Sequence, residues 1–88
     1  MFEVRWVDAA TNELAEIWIR SSDRKAINDA ANVIDRLLRS DPQDVGESRD
    51  DSERIAFVPP LVVRFQVSED DRLVLVLDVV HIRQRNQE

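Results

Sequence analysis

Apolar positions along this chain change period twice. Phe2, Val4 and Trp6 alternate with Glu3 and Arg5, the period of a half-buried strand. Asp8 then stands before Ala9 and Ala10, where it can cap a helix N-terminus. Ala10, Leu14, Ile17 and Trp18 recur at helical spacing, with Glu13 and Glu16 on the wet side. This helix is expected to fade at Ser21–Ser22. Ser22 or Asp23 can cap a second helix with the stripe Ile27, Ala30, Ala31, Ile34 and Leu38, widened by Val33 and Leu37. Its solvent side carries Arg24, Lys25, Asp29, Asp35, Arg36 and Arg39. Pro42 ends it, because the residue before a proline is pushed out of helical geometry. Two helices joined by so short a break make a helical hairpin.

Strand periods return after the hairpin. Pro42–Glu53 holds the single glycine, Gly46, and no apolar period, so it reads as an exposed loop. Arg54–Val58 reads as a short strand with Ile55 and Phe57 inward. Pro59–Pro60 forces a turn. Then comes Leu61–Val80, two β-rich runs around the acidic turn Ser68–Asp71, which is a hairpin pattern. Leu61, Val63, Phe65 and Val67 alternate with Val62, Arg64, Gln66 and Ser68, which gives this arm one clearly apolar face. Leu73–Leu77 is apolar on both faces, the mark of a strand covered on both sides or central in its sheet, so Leu73–Val80 is expected to be the buried centre. The order is β-α-α-β-β-β. It implies an α+β domain with the helical hairpin packed on one face of a small, mainly antiparallel sheet.

Composition narrows the function classes. The 88 residues make one domain, 1–88, with no cysteine and hence no disulfide or thiolate chemistry. No apolar run approaches a membrane span, and Met1–Val7 is too short and charged for a signal peptide, so a cytoplasmic protein is expected. The net charge is −6. Most of it sits in residues 41–72, which hold nine acidic and four basic side chains. That balance argues against direct nucleic-acid binding outside a complex, which depends on basic surface. It suits a basic protein partner. The runs Asp50–Asp51 and Glu69–Asp71 match no calcium-loop spacing, and no zinc spacing, phosphate loop or Ser-His-Asp pattern is present, so neither metal nor cofactor is expected. Trp6 and Trp18 lie on apolar faces and are expected in the core.

Several residues, taken with the element order and the length, carry a family pattern. They are Val4 and Trp6, then Ala10, Leu14, Ile17 and Trp18. Pro42, Gly46 and Arg54 follow, then Phe65 and Val67, and last His81, Arg83 and Arg85. Over roughly residues 2–85 the chain resembles the RelE/ParE superfamily of bacterial type II toxin–antitoxin toxins. The resemblance implies a growth-inhibiting, plasmid-stabilising toxin held inactive by a cognate antitoxin whose flexible segment wraps its surface. It implies one of two targets. RelE-like members cut mRNA on the ribosome, whereas ParE-like members inhibit DNA gyrase without being nucleases.

His81 is the sole histidine, and the resemblance places it where RelE-like nucleases carry a catalytic residue. Arg54, Arg64, Arg83 and Arg85 are the candidate cations for the charge that develops during 2′-OH attack on phosphate. Arg64 is expected on the outward face of its strand, with Arg54 beginning the neighbouring one. The same arginines can instead pair with nearby acids. The chain departs from the nuclease pattern in having no tyrosine and a single lysine, Lys25, far from the last strands. That departure favours the ParE-like mode, with the hairpin Asp8–Ser40 as the contact surface. A non-toxic interaction domain of the same fold is the third reading.

Overall fold

In the computed structural model, which describes residues 1–50 and 52–82, the chain enters as β1 (Glu3–Trp6) and passes straight into α1 (Asp8–Arg20). Asp8 is the first helical residue and not a cap; Val7 precedes it with no side-chain cap bond. The Asp8 charge still favours the positive end of the helix dipole. A break at Ser21–Asp23 leads to α2 (Arg24–Ser40). Here the Asp23 carboxylate does cap, accepting the Ala26 N–H at 3.1 Å.

Four strands follow: β2 (Glu47–Ser48), β3 (Glu53–Val58), β4 (Leu61–Ser68) and β5 (Leu73–His81). The sheet order is β1-β5-β4-β3-β2. β1 runs parallel to β5 and every other pair is antiparallel. The architecture is therefore α+β in the expected β-α-α-β-β-β order, with β2 as an addition. Residues 42–53, expected to be an irregular loop, contain a 3-10 turn at Pro42–Asp44 as well as β2, and Pro42 is buried.

The hairpin covers one face of the sheet. Ala10, Ile27, Ala30, Ile34 and Leu38 meet Leu61, Val63, Phe65, Val74, Val76 and Val79 in a single core. Phe65 is fully buried, an apolar payload worth about 2–3 kcal/mol by itself. β5 is buried only on this face: Val74, Val76 and Val79 point in, while Leu73, Leu75 and Leu77 are half-buried. The apolar run Leu73–Leu77 therefore marks a strand inside the sheet, between β1 and β4, and not one covered on both faces; β4 holds the middle of the sheet.

Two further expectations are corrected. Phe57 points outward and is 60% exposed, while Ala56 is buried. Ala56 sits opposite the buried Val63, so the helix-facing residues of β3 are Arg54, Ala56 and Val58. Trp18 is 38% exposed and does not join the core. It lies at the margin of the α1 stripe, where Arg24 stacks over its ring at 4.5 Å.

Candidate functional site

His81 is the last residue of β5, opposite Leu61. It lines an open groove of about 850 Å³ at the end of the sheet. Glu16, Ile17 and Arg20 of α1 form one wall, and Pro59 and Pro60 of the β3–β4 turn contribute to another. Glu16 and Arg20 pair at 3.3 Å, one helical turn apart. An imidazole, a carboxylate and a guanidinium thus share one groove. Arg20 went unnoticed in the sequence because nothing local connects the end of α1 to a strand begun fifty residues later.

The other candidates are placed elsewhere. Arg54 lies opposite Phe65, four β4 residues from Leu61, which puts it roughly 13 Å from His81 along the strand. Its guanidinium donates to the carbonyls of Val45 at 2.9 Å and Gly46 at 3.0 Å. It ties residues 45–46 to β3. Arg64 points to the opposite face of the sheet, away from the helices. It donates twice to Asp78, at 3.0 and 2.7 Å, and once to Glu53 at 3.0 Å. The Asp78 bonds above all, then those of Glu53, hold its charge above the ordinary arginine pKa. Arg54 and Arg64 therefore do not form one cluster. Arg83 and Arg85 lie outside the described residues. Among the described residues no three His, Asp or Glu side chains converge on a cation position, and no helix is long and apolar enough to cross a membrane.

Two features near the groove escaped the sequence pattern. First, Glu13 is not merely on the wet side of α1. Its carboxylate accepts the Val79 N–H at 3.0 Å. The β4–β5 register slips between Arg64 and Phe65, leaving Leu77 as an extra residue in β5. Beyond that point β1 has ended, and α1 supplies the acceptor that a strand would have supplied. Second, the end of α1 is locked. Arg24 donates to the Trp18 carbonyl at 2.9 Å and the Ile19 carbonyl at 3.0 Å while stacking on the Trp18 ring. Those carbonyls are orphans of a helix C-terminus, and a cation there also suits the dipole. The result is an exposed platform of Trp18 and Ile19, the latter 62% exposed, whose helix end is tied to Arg24.

No protein-family description matches the sequence, and no curated protein does. Solved structures match along nearly the whole chain. A chain of the RelBE2 toxin–antitoxin complex from Mycobacterium tuberculosis has TM-score 0.75 at 17% identity, covering 91% of this chain and 90% of that one. A chain of the chromosomal ParDE system from P. aeruginosa has TM-score 0.72 at 18% identity, covering 94% and 98%. The isolated E. coli RelE toxin has TM-score 0.66 at 14% identity, covering 97% and 88%.

Proposed function

Starting from the RelE/ParE toxin fold, we propose that this protein is the toxin of a type II toxin–antitoxin pair, neutralised by a cognate antitoxin in the cytoplasm. We place its action in the ParE-like mode, inhibition of a protein target such as DNA gyrase without catalysis. The observation that carries this choice is the commitment of Arg54 and Arg64 to structural partners. Arg54 holds the Val45 and Gly46 carbonyls, and Arg64 is shared by Asp78 and Glu53. A phosphoryl-transfer site needs cations aimed at developing charge, and these two are already spent. The exposed Trp18–Ile19 platform, with Arg24 stacked on the Trp18 ring, has the aromatic-and-arginine make-up of a protein-binding hot spot.

A ribosome-dependent mRNA endonuclease is the second reading. It is favoured by the placement of His81 in one groove with Arg20 and Glu16. Parallel assays of the purified protein separate the two. Inhibition of gyrase supercoiling without cleavage of ribosome-bound mRNA supports the first reading. Cleavage without inhibition supports the second. Inactivity in both, together with no growth arrest on expression, leaves a non-toxic interaction domain.

A further inference from the structure

Among the described residues, the outer edge of β5 is half bare. β1 pairs with β5 only from Leu73 to Val76, and the last bond runs from the Val7 N–H to the Val76 carbonyl at 3.0 Å. Beyond it, the Ile82 N–H reaches the Pro60 carbonyl at 2.8 Å. That bond makes Leu61 and His81 a non-hydrogen-bonded pair of the antiparallel ladder, so both turn their backbone groups away from each other's strand. Val79, two residues earlier and opposite Val63, does the same. The N–H and C=O groups of Val79 and His81 therefore face outward, in line with β1. Only the Val79 N–H has a partner there among the described residues, and that partner is the Glu13 side chain.

A carboxylate on an exposed helix face is a removable cover. It makes one bond where an added strand would make several. Unpaired strand edges accept extended peptides through main-chain bonds. Charge indicates which peptides fit. Releasing Val79 frees the Glu13 carboxylate. Glu16 and Asp23 flank the adjoining groove, and Arg20 is already engaged with Glu16. The whole chain carries −6. From these observations we infer that the edge Leu77–Ile82 receives an extended, lysine- or arginine-bearing segment of another protein. The segment pairs with Val79 and His81 as a continuation of β1, displaces Glu13 from the Val79 N–H and sets a cation against the freed carboxylate. It then leads past His81 into the groove. This inference stands apart from the toxin reading, because it depends on the edge and its charge and not on what the partner does.

The test is selection of a displayed library of random linear peptides against the folded protein, with amide exchange of each enriched peptide's complex read residue by residue by NMR. Enriched peptides are expected to carry lysine or arginine and to slow exchange at Val79 and His81. Glutamine in place of the lysine or arginine of an enriched peptide should weaken its binding to the wild-type protein roughly tenfold, the gap between a charge-assisted and a neutral hydrogen bond. The change is made in the peptide, so the fold is untouched and the wild-type exchange pattern is readable without any variant. Failure to enrich any peptide overturns the inference. So do enriched peptides that leave both amides unprotected, or that lack basic residues. Concentration-dependent dimerisation with the same protection assigns the edge to a second copy of this chain and overturns it as well.

Discussion

The Glu13 carboxylate accepts the Val79 backbone N–H at 3.0 Å, joining residues 66 positions apart. α1 thereby finishes a sheet edge that β1 leaves incomplete. Glu13→Ala should destabilise the fold by about 1–2 kcal/mol, the range for a hydrogen bond to a charged group at a partly solvated site. Glu13→Gln should cost less than half of that. Urea unfolding measures both, and unchanged stability in Glu13→Ala would mean that the bond contributes nothing.

Arg54 is assigned a structural role. Its removal as Arg54→Met deletes two bonds to the carbonyls of Val45 and Gly46. The expected cost is about 2 kcal/mol, with faster amide exchange in β2. Action on the target should persist in material that remains folded. Loss of RNA cleavage with unchanged stability would return Arg54 to the catalytic set.

Gly46 turns the chain into β2 with φ of +70°. A Cβ there would collide with the Ile55 carbonyl and crowd the Ala56 Cα. Both obstacles are backbone and cannot rotate away. Gly46→Ala should therefore cost about 2–4 kcal/mol, combining the left-handed conformation with the clash. Thermal unfolding is the check, and a melting temperature within a degree or so of wild type would contradict the geometry.

Asp41 follows the C-terminus of α2, close to Asp44 and Glu69. Its hydrogen bond with Asp44, then the Asp44 charge, burial and the more distant Glu69 raise its pKa above the ordinary aspartate value. A raised pKa means that the fold prefers the protonated form. The contribution is fully present below the ordinary value and is lost as pH rises through the raised one. Asp41→Asn mimics the protonated state. It should raise the melting temperature at neutral pH and give no gain at acid pH, where the wild type is already protonated. A gain that is constant across the range would exclude this carboxyl pair as its source.

Much of the fold was legible because its signals are local. The Ile27–Leu38 stripe, the Asp23 cap and the Leu61–Val67 alternation all report on neighbours within a turn or a strand. What escaped depends on distant partners. The inward and outward faces of β3 are exchanged because Ala56 fits against Val63 and because the Arg54 head group finds the carbonyls of Val45 and Gly46. Backbone satisfaction there outweighs the burial of Phe57. The parallel pairing of β1 with β5 leaves no periodic trace in either strand. At the site, His81 was visible as a residue type. Its neighbours Arg20 and Glu16 were not, because the groove that unites them forms only when the hairpin closes over the end of the sheet.

In the ParE-like mode proposed above, this chain acts on a protein and not on RNA. Induced expression of wild type and His81→Ala in bacteria, with growth and total mRNA integrity followed together, distinguishes the two. Growth arrest with intact mRNA is expected for both proteins. Arrest accompanied by mRNA cleavage, with both lost in His81→Ala, would contradict it and make His81 the catalytic centre of a nuclease.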